Sequence, residues 1–236
     1  MIIFGLILLI FLIGVYPFWD KKYTSKLEKT LLEKDRIAYF KYVIFSEWTI
    51  TLMILLVVMI SASTFGDLGF KAPAENSSEV LGMLTGFLAG ILIMMFVLMR
   101  LPFYRKYLDK QTENVSYLIP SGRIDKRFAI LAAITAGICE EVIYRGFLLH
   151  FLSSSPFGLE GQVLMIMGAA IFGIAHYYQG WKGVLLTGVV GYAFTRMYFM
   201  TGSLLFPILF HIIIDLRFML MAGKDPVDKT DLKRAI

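Results

Sequence analysis

The chain has 236 residues, 58% of them hydrophobic and only 17% charged, with a formal net charge of +5. A soluble domain is nearer half apolar and a quarter charged, and here the apolar excess lies in long unbroken blocks, which excludes a water-soluble globular domain. The positive balance is not a nucleic-acid signature either, because lysines and arginines gather at the ends of apolar runs, where they set orientation in a membrane.

The expected fold is all-α, a polytopic transmembrane helical bundle of about seven spans with an added interfacial amphipathic helix. Ile2 to Trp19 is the first apolar run, long enough to cross a hydrocarbon core of about 30 Å. It lacks a basic n-region and a small-residue cleavage pattern, so it reads as an uncleaved anchor. Asp20 to Lys41 mixes seven basic residues with Glu28, Glu33 and Asp35, and Leu27, Leu31 and Leu32 among them suggest an amphipathic helix lying in the interface. A second span is expected over Tyr42 to Ser63, then a turn-rich loop at 66–73. The third, Val80 to Met99, carries Gly82, Gly86 and Gly90, which permit close helix packing. Leu101 to Lys126 is a polar connection broken at Pro120-Ser121-Gly122.

The fourth span, Arg127 to Leu152, contains Cys139-Glu140-Glu141-Val142-Ile143-Tyr144-Arg145. The fifth, Gln162 to Tyr178, contains Phe172 and His176. The sixth is expected over Val184 to Met200 and the seventh over Leu204 to Met221, with His211 and Asp215. Residues 1–126 thus form the N-terminal spans and basic loops, 127–221 a membrane core, and 222–236 a polar tail, all within one integral membrane domain. The segments 20–41, 100–127 and 222–236 hold seven, seven and four of the 23 lysines and arginines. With seven spans they fall on one side, so the N-terminus is expected outside and the C-terminus in the cytoplasm.

An ionised side chain at bilayer depth costs roughly 3 kcal/mol on insertion scales, so two carboxylates and an arginine within six positions need partners or a purpose. Glu141 and Arg145 are i,i+4 in the favourable acid-first order and are expected to pair. Glu140 lies about 100° around the helix and presents to a different neighbour. His176 and His211 sit at comparable depths on other helices, and Asp215 is one turn beyond His211. One reading is that Glu140 and a histidine deprotonate a shared water while the second histidine and Asp215 stabilise an oxyanion. The other is that Glu140, His176 and His211 ligate a divalent metal such as zinc, leaving a water as fourth ligand. Cys139, the single cysteine, has no activating cation in sequence and reads as core.

These residues resemble a known family. Glu140-Glu141-Val142-Ile143-Tyr144-Arg145 matches an EExxxR motif, Phe172-Gly173-Ile174-Ala175-His176 an FxxxH motif, and His211-Ile212-Ile213-Ile214-Asp215 an HxxxN/D motif. All three belong to the CPBP intramembrane proteases, also called the Abi or type II CaaX prenyl endopeptidase family. The similarity is strongest from Arg127 to Met221. It implies an intramembrane endopeptidase in which Glu140 with His176 activates water and His211 with Asp215 forms the oxyanion side. Glu141, Arg145 and Phe172 would be supporting. Asn is the commoner occupant at the last motif position, so Asp215 must either be protonated or orient His211.

The resemblance implies a membrane-associated protein or peptide substrate; membrane lipids are the other expected partner and nucleic acid is not one. No cofactor is expected, because Glu140 and His176 suffice for water activation, with a divalent metal such as zinc as the alternative. Compact loops suggest a bacterial cell membrane. Two other classes compete. A proton-coupled transporter also uses intramembrane Glu, His and Arg, and a non-catalytic scaffold or immunity protein would keep the motifs for fold alone. A transporter would favour internal repeats, and the sequence contains none.

Overall fold

The protein, represented by a computed structural model, is described over residues 1–73 and 113–221, with isolated positions between 82 and 101. It is built of helices, and no β-strand occurs among the described residues. The first helix, α1 (Ile2–Thr30), runs through a π-helical turn at Phe11–Val15. Pro17 sits in the first turn after this widening, where its missing N–H does least harm. Leu31 closes the rod in a left-handed conformation at φ 51°, its N–H donating to the Leu27 carbonyl. α2 (Glu33–Met59) then starts with Glu33 and Asp35 in its first turn, where carboxylates complement the helix dipole.

The expected interfacial helix over 20–41 is therefore not a separate element. Asp20 to Thr30 prolong α1, and Glu33 to Lys41 are the opening turns of α2. The reason lies in the apolar side of the segment, which packs on protein rather than on headgroups. Leu27, Tyr39 and Phe40 are buried together with Tyr117 and Ala129, while Leu31 and Leu32 are half exposed at the corner.

The described positions between 82 and 97 are helical, and Leu84 is buried against Phe194, Met197, Phe206 and Phe210. Most of the expected third span, and the 222–236 tail, lie outside the described residues. A short 3-10 turn at Glu113–Leu118 leads to α3, over 123–153, which is α-helical to Glu140, π-helical over Glu141–Leu148 and α-helical again to Ser153. α4 (Gly161–Ala175) ends in a 3-10 turn at Tyr177–Gln179. α5 (Gly180–Thr201) is capped by Gly202 at φ +63°, and α6 is Leu205–Met221.

α2 and α3 run parallel. Arg36 meets Asp125 near their starts, Trp48 Nε1 donates to Thr135 Oγ1 at 3.3 Å midway, and Ser63 Oγ lies 3.0 Å from His150 Nε2 at their far ends. Lys21 Nζ donates to the Tyr178 carbonyl at 3.2 Å, so the basic part of α1, the starts of α2 and α3, and the 177–179 turn gather at one end.

Among the described residues, three helices are long and apolar enough to cross a membrane, namely Ile2–Thr30, Glu33–Met59 and Tyr177–Thr201, and Gly161–Ala175 is a shorter apolar helix. α3 escapes that description because of its charged cluster. Leucines, isoleucines and valines such as Ile3, Ile7, Leu52, Leu56, Val163, Ile166, Leu185 and Val189 point outward. Apolar side chains facing out around a helical interior mark an integral membrane bundle.

Candidate active site

The three motifs converge. Glu140 ends the α-helical part of α3, and Glu141 opens the widened π turn, a distortion that recurs at functional sites. Measured from the end opposite the basic segments, Glu140 lies 13 residues before Ser153 and His176 lies 15 residues after Gly161. Both are thus on the order of 20 Å deep at 1.5 Å per residue. α6 brings in His211 because Gly137, one turn before Glu141, lets its backbone approach. A Cβ at 137 would lie 2.9 Å from the backbone nitrogen of Ile212.

His176 Nε2 is 3.7 Å and His211 Nε2 3.8 Å from one oxygen, Oε2, of Glu140. That oxygen is buried without a protein hydrogen-bond partner. The other ring nitrogens are fixed. His176 Nδ1 lies 2.9 Å from the Phe172 carbonyl, which only accepts, so Nδ1 carries the proton and Nε2 faces Glu140. His211 Nδ1 lies 2.7 Å from Glu141 Oε1. The same Glu141 oxygen accepts from Arg145 Nη1 at 2.8 Å, and Arg145 Nη2 donates to the Gly191 carbonyl at 3.2 Å. Asp215 Oδ2 lies 3.7 Å from His211 Nε2.

The expected Glu141–Arg145 pair is therefore present but not self-contained. Glu141 also grips His211, so the two adjacent carboxylates flank the two nitrogens of one imidazole instead of facing unrelated neighbours. Orientation of His211 falls to Glu141 at Nδ1, and Asp215 stands on the Nε2 side.

Phe172 is the packing centre. The Arg145 guanidinium lies 4.1 Å from its ring centroid, the rings of His176 and His211 are 4.7 and 6.0 Å away, and Tyr144 meets it edge-on at 5.0 Å. A cation over an aromatic face in a desolvated site is held by the ring quadrupole. Glu141 and Arg145 are sealed, whereas the side chains of Glu140, His176 and Asp215 keep 12%, 14% and 30% of their exposure. The cluster opens along that side.

The conditional metal set, Glu140, His176 and His211, is not arranged as a ligand group. Neighbouring ligands of a tetrahedral zinc stand roughly 3.3 Å apart when its bonds are about 2.0 to 2.1 Å. Both spacings here are wider, and among the described residues no cluster of three His, Cys, Asp or Glu is placed to hold a metal ion. The gaps of 3.7 and 3.8 Å are too long for a direct hydrogen bond and suit a bridging water. Cys139 is fully buried, in keeping with a core role.

One acidic side chain was passed over by sequence reasoning. Glu47, on α2, is buried beside Glu140. Its signal was present in the sequence, since it is a lone carboxylate inside an apolar run.

Residues 126–217 match a family model described as type II CAAX prenyl endopeptidase Rce1-like. No curated protein and no solved structure matches the chain.

Proposed function

Because residues 126–217 form a type II CAAX prenyl endopeptidase Rce1-like domain, within an integral membrane protein, we propose that the chain is an intramembrane endopeptidase whose water is activated by Glu140 and His176. One observation carries this reading: two imidazole Nε2 atoms, one of a ring fixed from behind by a carbonyl and the other of a ring oriented by a carboxylate, converge on a single partnerless carboxylate oxygen.

A water held between Glu140 Oε2 and His176 Nε2 loses a proton to Glu140 as its oxygen attacks the carbonyl carbon of the scissile peptide. The carbonyl oxygen takes up the negative charge. His211, protonated at both nitrogens, with Nδ1–H on Glu141, turns Nε2–H toward that oxyanion. This parallels the carboxylate–imidazole pairing of a hydrolase triad, in which the carboxylate orients the ring and stabilises its cationic form. Asp215, beside Nε2, favours the same protonated ring and need not orient it. The C–N bond then breaks as Glu140 returns its proton to the leaving amine, with no covalent enzyme intermediate. Arg145 neutralises Glu141 and, over Phe172, holds the cluster rigid.

The substrate class is a membrane-associated protein or peptide presented at the open Glu140–His176–Asp215 side. The family description names prenylated CAAX ends, and the reading extends here only as far as a peptide bond brought to the membrane. The positive-inside rule favours a cytoplasmic position for the end of the bundle where the basic segments gather.

The test is comparative membrane proteomics of cells carrying the wild type or Glu140→Gln. Uncut membrane substrates accumulate in the variant, and cleavage of those substrates by purified protein falls about 10²- to 10⁴-fold. A folded Glu140→Gln protein that still cleaves them overturns the reading. Treatment with a chelator is expected to leave cleavage unchanged. Loss on chelation that zinc restores would replace the water-only chemistry with a metal-assisted one.

A further inference from the structure

Glu47 stands where a second carboxyl group is least expected. It is 5% exposed, its Oε2 has no partner, and its side chain lies within hydrogen-bond reach of Glu140, whose own Oε2 is also partnerless. The contact is set by the register of the parallel helices. Next to Glu47 in sequence, Trp48 donates to Thr135, and one turn further on Thr51 meets the thiol of Cys139, the residue before Glu140. These two contacts fix the helix pair over the stretch between Glu47 and Glu140, along which the Glu47 side chain reaches Glu140.

Two ionised carboxylates cannot share a hydrogen bond, because each only accepts. In a low-dielectric interior they also repel strongly, and such pairs hold a proton between them. The other groups that bear on Glu47 electrostatically include no cation, and the nearby imidazoles of His176 and His211 are directed at Glu140. Those groups are Tyr16 and Asp20 from α1, Tyr42 on its own helix, Tyr144 and Cys139 from α3, and Asp215 from α6. A buried carboxyl among phenols, a thiol and other carboxyls is stable as the neutral acid and as a donor.

We propose that Glu47 is a positioning residue that stays protonated and donates its O–H to Glu140, fixing the plane of the Glu140 carboxylate so that Oε2 faces His176. The inference rests on the reading of Glu140 as the water-activating group, and it adds a member of the site that none of the three motifs contains. Glu140 is then held on two sides. Glu47 supplies a donor from α2, and the water to be activated supplies the other from the His176 side. Without the donor, the carboxylate is free to rotate about its last torsion, and the water loses its alignment.

Infrared difference spectroscopy on the full chain in lipid vesicles tests the protonation directly and needs no substrate. The wild type minus Glu47→Gln spectrum is expected to show a protonated-carboxyl C=O band, and that band is expected to shift in Glu140→Gln as its acceptor changes from a carboxylate to an amide. Absence of the band from that difference spectrum, with the Glu47→Gln protein folded, overturns the proposal. The functional arm uses the membrane substrates that accumulate in Glu140→Gln cells. Glu47→Gln, which keeps a neutral donor of the same shape, is expected to process them at close to the wild-type kcat. Glu47→Met, similar in volume but without a donor, is expected to lose on the order of tenfold or more in kcat at unchanged KM, the size of a hydrogen bond to a charged group. Wild-type cleavage by a folded Glu47→Met protein overturns the inference and leaves the role of Glu140 standing. Cleavage by Glu140→Gln overturns both.

Discussion

Two buried polar clusters join α2 to α3, and they are built on opposite plans. At the basic end, Arg36 meets Asp125 at 2.9 Å, and the arginine spends its remaining donors on Ser121 Oγ at 2.5 Å and the Leu31 carbonyl at 3.4 Å. The Ser121 N–H also donates to Asp125, at 3.0 Å. There a cation and an anion face each other and are closed off. At the motif cluster the cation is used one layer back, on Glu141, and the carboxylate in front of it, Glu140, faces two imidazoles and another carboxyl across gaps of hydrogen-bond length and more. The first arrangement holds helices in register. The second leaves an anion short of donors beside an opening, which is a place for a water and a substrate.

This contrast can be broken by separating rate from stability. The Glu140→Gln change should produce the largest effect, the loss of cleavage given above, while the thermal midpoint of the purified protein stays within a few degrees. Asp125→Ala should do the reverse. It strands a buried guanidinium, a loss of about 3–5 kcal/mol. Cleavage per folded molecule should be unchanged, as read by thermal denaturation alongside turnover in the same vesicles. If Asp125→Ala abolished turnover in folded protein, the two clusters would not be the separate devices described here.

A smaller effect sharpens the division inside the motif cluster. Glu141→Gln keeps an oxygen for Arg145 and His211 but removes the charge behind the imidazole. Turnover should fall by roughly 10- to 100-fold, the scale of a charged hydrogen bond, with modest destabilisation. Unchanged turnover would return Glu141 to a purely architectural role. The smallest effect concerns spacing. Gly137→Ala pushes a methyl group against the Ile212 backbone and should cost about 1–3 kcal/mol of overpacking. Turnover should drop as His211 is pushed away from Glu140, and Ile212→Val should not relieve it, because valine keeps the Cγ1 atom nearest the new methyl and the Ile212 main chain stands just behind it.

Much of this was legible in the sequence, for a physical reason: charge is so costly in an apolar span that clustered exceptions stand out, whereas the lone Glu47 was passed over. Glu140, Glu141, Arg145, His176, His211 and Asp215 were all found that way, and the structure places them together. Helix limits were legible at Gly161 and Gly202, where glycine marks an end, but not at Gly180–Gly183, which the expected start at Val184 left out and α5 includes. The corner at Leu31-Leu32 carries no such mark, since a leucine in the left-handed region has no compositional signature. The 20–41 stretch therefore read as one amphipathic helix. The Arg36–Asp125 pair and the Glu47–Glu140 contact were illegible because they join residues 89 and 93 positions apart, and only the register of two parallel helices creates them. His211 bonding through Nδ1 to Glu141 belongs to the same class, since spacing can bring a ring to a carboxylate without saying which nitrogen it offers.

The close approach at Gly137 has a mechanical side. With α3 and α6 locked main chain to main chain, Glu140, Glu141, Arg145, His211 and Asp215 form one rigid jaw. His176 is the exception, standing at the tip of α4 where the helix gives way to the 177–179 turn, and that turn is tethered to α1 through Lys21. The imidazole that completes the cluster thus comes from a helix tip whose following turn is tied to the basic end of the bundle.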